Sequence, residues 1–221
     1  MSYVMRGNVG TWSFWHDCSR AIARFSLRFS ERALPRRRGK WEYSIVNDLM
    51  AQLKTYDWGG DRGSLAGIDD LIVAAQGDGD KLVAIEQALL EVLQSDAKLP
   101  AKEYICRQLA LIGTARSVPA LAGMLADAEL SDCARFALEA IPAASVDNAL
   151  RAALDEANGN PLVGIVNTLG ERRDRKAVPA LSEMRNSSDS VLAKAAEAAL
   201  RKIAEEVSVA STENGDAKNV E

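Results

Sequence analysis

"GTARSVPAL" occupies Gly113–Leu121, and "RDRKAVPAL" occupies Arg173–Leu181, so that the Val-Pro-Ala-Leu of Val118–Leu121 returns at Val178–Leu181. How the proline is read decides the fold. Inside a helix it costs roughly 3 kcal/mol, because it removes a hydrogen bond and clashes with the preceding turn. In the first turn about four N–H groups lack an intrahelical partner anyway, and a proline there loses little. With Thr114 and Asp174 taken as N-caps, Pro119 and Pro179 each fall five residues later, at the close of the first turn of a second helix. Gly113 and Gly170 then close the helix before it. The stretch reads as a joint between two helices, and its residue types require no chemistry.

Working outward, the same order recurs. Ile105, Leu109 and Ile112 share one face of a helix over 101–112, and Val118, Leu121 and Leu125 share a face after the joint. Ala134, Leu138 and Ile141 lead through Pro142 to Val146, Leu150 and Leu154. Leu162, Val166 and Leu169 lead through Gly170 and Asp174 to Val178 and Leu181. Leu109, Leu138 and Val166 stand 29 and 28 residues apart, and Val118, Val146 and Val178 stand 28 and 32 apart. Two short helices per unit at this period are the pattern of an α-solenoid. Further helices are expected at about 41–56, 67–77, 80–95 and 190–206, with the breakers Trp58-Gly59-Gly60, Gly77-Asp78-Gly79 and Pro100 between them.

Composition bounds the alternatives. The 221 residues are 48% apolar and 5% aromatic, which fits an alanine- and leucine-rich helical protein. No run reaches the eighteen or so apolar residues of a spanning helix, and the N-terminus lacks the pattern of a secretory signal. Cys18, Cys106 and Cys133 are odd in number and show no paired ligand spacing, so neither a disulfide framework nor a zinc site is expected. Reduced thiols and a cytoplasmic location are the plain reading. Residues 1–40 hold nine Arg or Lys against Asp17 and Glu31, a balance of +7 that leaves −11 for the other 181 residues of a chain whose net charge is −4. In "SRAIARFSLRFSERALPRRRGK", Arg20, Arg24, Arg28 and Arg32 step by four beside Ile22, Phe25 and Phe29. Residues 1–40 are therefore expected to be a basic extension, either disordered or an amphipathic helix suited to a membrane surface, nucleic acid or targeting. The alternative is that residues 1 to about 45 are upstream sequence and Met50 initiates the chain. Residues 207–221 read as a disordered polar tail.

"LIGTARSVPALAGMLAD", "LGERRDRKAVPALSEM" and the final "LAKAAEAALRKI" resemble HEAT repeats of the short bacterial type, over about residues 67–206. "LKTYDWGGDRGSLAGIDDLIVAAQGD" and "YICRQLALIGT" also resemble the N-terminal part of bacterial HEAT-repeat proteins. Such proteins occur alone or joined to other domains, some of them carbohydrate-active. The middle unit departs from the pattern, with Val146-Asp147 for Val-Pro and Pro142 for the helix-ending glycine. The resemblance implies an all-α fold over 41–206, a right-handed α-solenoid of about five antiparallel helix pairs of HEAT-like or armadillo type. It also implies a binding surface on the second helices that needs no catalytic group.

The reactive residue types agree with that reading. His16 is the only histidine and lies in the basic extension, which excludes a histidine-dependent triad or metal site in the body. Cys106 and Cys133 fall among apolar helix positions and read as small buried hydrophobes. No Gly-rich phosphate loop of Walker or Rossmann spacing is present. Acidic pairs such as Asp69 and Asp70 read as solvated faces or caps. No catalytic residue, metal or cofactor is expected.

Among polar features, Tyr56, Trp58 and Arg62 of "TYDWGGDR" read as an aromatic lid or a ligand contact, and "ERRD" at Glu171–Asp174 as capping by Asp174 with solvated arginines. Asn167 is expected to be a buried hydrogen-bonding residue between loops, with Arg107 and Arg135 pairing acidic neighbours. The expected function is a non-catalytic scaffold for a protein partner, with Tyr56, Trp58, Arg62, Arg116, Asn148, Arg151, Arg172, Arg173 and Glu183 as surface contacts. The alternatives are an accessory module of a carbohydrate-active or lyase-type enzyme system, and nucleic-acid binding through the basic extension.

Overall fold

The computed structural model describes residues 41–215, with side chains described within 44–205. The readings of the basic extension and of the last six residues lie outside these, whereas Met50 lies within them, in the core. Ten α-helices and one short 3-10 turn carry the described chain, and no strand occurs among the described residues. In chain order they are α1 (Trp41–Thr55), α2 (Gly63–Ala74), α3 (Gly79–Leu93), α4 (Leu99–Ile112), α5 (Val118–Ala122), α6 (Ser131–Ala140), α7 (Ala144–Ala153), α8 (Gly159–Glu171), the 3-10 turn Arg175–Ala177, α9 (Val178–Met184) and α10 (Ser190–Gly215). No described helix is long and apolar enough to cross a membrane.

The apolar periodicity becomes the core. Ile105, Leu109, Leu121, Leu125, Leu138, Ile141, Leu150 and Leu169 are fully buried, and Val118, Val146, Val166 and Leu181 join them in one continuous cluster. The helices fall into two sets. The even-numbered α4, α6, α8 and α10 pack side by side in chain order; among the odd-numbered, α1 packs on α3 and α5 on α7. Each odd helix also packs against the even helix that follows it. Tyr104 on α4 ties α2 into the even set. Its hydroxyl donates to the Asp69 carboxylate at 2.7 Å and stands 2.9 Å from the Leu65 carbonyl, while Gln108 Nε2 donates to Asp69 at 3.1 Å.

Element ends differ from expectation for identifiable reasons. α2 begins at Gly63 rather than near 67, with Arg62 before it and the Asp61 carboxylate accepting from Gly63 N at 3.1 Å. α10 continues to Gly215, past the expected end near 206 and into the expected tail, since extending a formed helix costs far less than nucleating one. Thr114 is not an N-cap: α5 starts four residues later, with Ser117 before it. Pro119 and Pro179 are the second residues of α5 and α9, nearer the helix start than expected, where the missing N–H costs little. Gly113 caps α4, its N–H donating to Leu109 O at 2.8 Å. Gly170 does not end its helix. It lies buried in the last turn of α8, where a Cβ would stand 2.7 Å from Ala199 Cα of α10, so glycine serves the contact between these two helices.

Candidate functional site

Four turns lead from an even helix to the odd helix after it, and the last three are 113–117, 141–143 and 172–177. These three lie in a row. A Cβ on Gly113 would meet Ile141 Cδ1 at 3.0 Å, and Arg172 Nη1 donates to the carbonyls of Glu139 and Ile141, each at 3.1 Å. The first turn therefore touches the second, and the second touches the third.

The first turn is organised by Glu86 of α3, which is buried. One of its carboxylate oxygens accepts from Thr114 N at 2.7 Å and Ser117 Oγ at 2.6 Å, and Thr114 Oγ1 lies 3.0 Å from both. Three donors compensate the desolvated charge. This is why Thr114 opens a turn, accepting from Arg116 N at 3.2 Å, instead of capping α5. Glu86 stands in register with Leu82, Leu89 and Leu93 on an apolar face, and a carboxylate in that register is the signal that marks it.

The third turn is a Schellman C-cap. Arg173 N donates to Gly170 O and Asp174 N to Leu169 O, both at 3.1 Å, with Arg173 at φ 54° in the position that favours glycine. Asp174 caps the 3-10 turn, accepting from Lys176 N at 3.1 Å, and ion-pairs with Arg151, which also donates to Asn148. Arg172 points inward with a side chain only 14% exposed. It pairs with Asp147 and caps the end of α6 through the carbonyls of Leu138, Glu139, Ile141 and Ala143.

The expected surface contacts thus divide. Arg151 and Arg172 are struts between units and correct the reading of exposed contacts and solvated arginines: Asp174 and Asp147 draw them into the packed turn. Asn148 is exposed but holds Arg151. Arg116, Arg173 and Glu183 are exposed, and among the described residues their side chains have no hydrogen-bond or ion-pair partner; neither do those of Arg175 and Lys176, which sequence reading passed over. Along this edge the carboxylates of Asp147 and Asp174 are taken by half-buried arginines while four cations remain open. Glu139, at the end of α6, has its carboxyl held above the usual range by desolvation and by the neighbouring Glu171. Glu171 itself pairs with Lys202 of α10.

Tyr56, Trp58 and Arg62 are not brought to this edge. They lie in the turn before α2, which leads into an even helix and faces the turn before α4 through Asp57–Lys98 and Lys54–Asp96, both at 2.6 Å. Those exposed pairs hold the carboxyls of Asp57 and Asp96 below their usual range, by the hydrogen bond from each lysine first. Tyr56 is half-buried against the core, Trp58 is 68% exposed and Arg62 is exposed at the start of α2. Asn167 corrects another expectation. It is half-buried and makes no side-chain hydrogen bond among the described residues, because Thr168 and Arg135 supply the tie between helices. Arg135 pairs with Asp132 as expected and donates to Gly164 O at 3.3 Å. Its guanidinium lies where a Cβ of Gly164 would stand, 2.4 Å from Nε, so the absent side chain makes room for it. Arg107 is exposed.

No family model matches the chain, and no curated protein matches it.

Proposed function

We propose that the chain is a short-unit HEAT-repeat protein, a right-handed α-solenoid that binds an acidic segment of a protein partner along the 113–117, 141–143 and 172–177 edge and catalyses no reaction. Support for the arrangement comes from the alternation of helices between two sets and the side-by-side packing of the even set, together with the sequence period of the Val-Pro-Ala-Leu stretch. Support for a non-catalytic role is that the buried and half-buried carboxylates and arginines are committed to structure: Glu86 to the first turn, Asp174 to Arg151, Asp147 to Arg172.

One observation carries the binding reading. Arg173 occupies a left-handed position that costs a side-chain-bearing residue roughly 1 kcal/mol relative to glycine, yet its guanidinium has no partner in the described fold. Strain retained without structural return points to a use outside the fold. Arg175, Lys176 and Arg116 extend the same charge along the edge.

The test is capture from the cell of origin by the full chain and by a chain carrying Arg173→Glu, Arg175→Glu and Lys176→Glu. A partner held by the first, released as salt is raised and absent from the second is the expected result. Identical capture by both, at equal helix content, would overturn this face as the binding site.

A further inference from the structure

Asn-Gly occurs at Asn158–Gly159 and at Asn214–Gly215, the second beyond the described side chains. The first stands at the joint between α7 and α8, where Asn158 is the residue before α8 and Gly159 the first residue in it. An asparagine loses its amide spontaneously when the next residue's backbone nitrogen attacks the side-chain carbonyl carbon. A fold holds this back with a hydrogen bond on the side-chain amide, a hydrogen bond on the attacking N–H, or a Cβ on the following residue. None of these is present at the joint. Asn158 is exposed, in extended backbone at φ −143° and ψ 167°, and its side chain neither caps α8 nor bonds elsewhere among the described residues. The N–H of Gly159 belongs to the first turn, has no intrahelical acceptor, and donates to no turn or side-chain group among the described residues. Gly159 sits at φ 56° with nothing within 4 Å of where a Cβ would stand, so the 158–159 peptide unit has room to swing toward the side chain. The positive end of α8 favours the anion that the attacking nitrogen passes through.

The other described asparagines are held. Asn47, Asn148 and Asn167 lie inside α1, α7 and α8, where the N–H that follows each belongs to the helix ladder. Asn186 donates its amide to Ser182 O at 3.3 Å, and the N–H of Ser187 donates to Met184 O at 3.0 Å. Asn160 is followed by Pro161, which has no N–H to attack with. The start of α3 supplies the contrast: Asp78–Gly79 opens that helix in the same way, but the Asp78 carboxylate accepts from Lys81 N at 3.3 Å and caps it.

We propose that Asn158 is a site of spontaneous deamidation, through a succinimide closed with Gly159, that converts the residue before α8 to isoaspartate and aspartate as the chain ages. The Gly159 nitrogen gives up its proton to water or hydroxide and bonds to Asn158 Cγ. The Cγ–Nδ2 bond breaks, and the amide takes a proton from solvent and leaves as ammonia. Water then opens the ring. Addition at Cγ breaks the Cγ–N bond and gives aspartate in an ordinary chain. Addition at the backbone carbonyl carbon of residue 158 breaks that C–N bond and gives isoaspartate, with the chain running through Cγ. Either product sets a new negative charge at the positive end of α8, as Asp78 does at the start of α3. Isoaspartate also puts one more carbon into the main chain between α7 and α8, and it makes the joint a substrate for methyltransferases that esterify isoaspartyl carboxylates.

The experiment incubates the full folded chain in mildly alkaline buffer at physiological temperature for several weeks. Tryptic fragments 152–172 and 203–218 separate the two Asn-Gly pairs and are followed by mass spectrometry. Isoaspartate is read by methyl transfer from labelled S-adenosylmethionine with an isoaspartyl methyltransferase. The expected result is that residue 158 gains the Asn-to-Asp mass difference, mostly as isoaspartate, while Asn160 and Asn167 in the same fragment stay unchanged. Asn186, which must first break two hydrogen bonds, is expected to react at least about tenfold more slowly. Asn158→Ser removes the methyl label from fragment 152–172. The same chain in urea gives the unprotected rate, and residue 158 of the folded chain is expected within about tenfold of it. No isoaspartate at 158 in the folded chain while the urea-treated chain forms it, aspartate without isoaspartate, or equal rates at Asn158 and Asn186 would each overturn the proposal.

Discussion

Arg172 and Arg173 are adjacent and chemically identical, yet the turn sends one into the molecule and the other out. Arg172 closes the carbonyl end of α6 and neutralises Asp147, so Arg172→Ala removes a multiply bonded strut and leaves a half-buried carboxylate without its cation. A loss of about 2–4 kcal/mol in denaturant unfolding is expected, with little rescue by Arg172→Lys, which cannot reach several carbonyls and a carboxylate at once. Arg173→Gly relieves the left-handed backbone and should stabilise by about 1 kcal/mol while weakening capture of the partner. Stabilisation with undiminished capture would detach Arg173 from binding. Glu139 gives a signed pH effect. Its carboxyl is raised in the fold by desolvation and by Glu171, so its proton favours the native state, and that contribution is complete below the ordinary glutamate range and lost as pH rises through the raised value. Glu139→Gln should therefore match the parent Tm near pH 4 and exceed it near pH 7, and thermal melts across that interval check it.

At the scale of elements, glycines separate contacts that can yield from contacts that cannot. A Cβ on Gly170 meets Ala199 Cα of α10 at 2.7 Å, a backbone atom, whereas a Cβ on Gly67 meets the end of the Leu49 side chain at 2.8 Å. Gly170→Ala should cost about 1–3 kcal/mol despite alanine's better helix propensity, while Gly67→Ala should be close to neutral as Leu49 rotates away; paired urea titrations distinguish the two. The same distinction explains how much the sequence made legible. Helix faces were readable because burial follows a 3.6-residue period, and Leu109, Leu138 and Leu150 are buried where that period puts them. Turn chemistry was less so. Thr114 looks like a cap until Glu86, 28 residues earlier, claims it. Arg172 looks solvated until Asp147 and the end of α6 are placed beside it. Each failure involves a partner outside the local window, and periodicity carries no information about which unit neighbours which side chain. Of the site, the exposed Arg116 and Arg173 were readable, and the neighbouring Arg175 and Lys176 were not separated from ordinary turn polarity.

Across the whole molecule, polar ties stay local. The longest sequence separation spanned by a described side-chain tie is 42 residues, between Lys54 and Asp96, and those of the third turn span 23 to 34. The ties between elements join helices and turns near one another in the sequence, so stability should be distributed along the chain rather than held by a single closure. Leu169, fully buried in α8, offers a direct test. Leu169→Ala should remove about 2–5 kcal/mol from the packing of α8 against its neighbours. If coupling passes only from unit to unit, native-state hydrogen exchange will show early loss of protection in α8, α9 and α10, a smaller loss in α6 and α7, and little change in α1 through α4. A uniform loss across all ten helices would mean that the array melts as one unit, and the nearest-neighbour account of its stability would fail. The graded result would also bear on binding. A partner lying across several turns would then stabilise the units it spans together, and protection would rise along the edge from 113 to 177 but not around Tyr56 and Trp58.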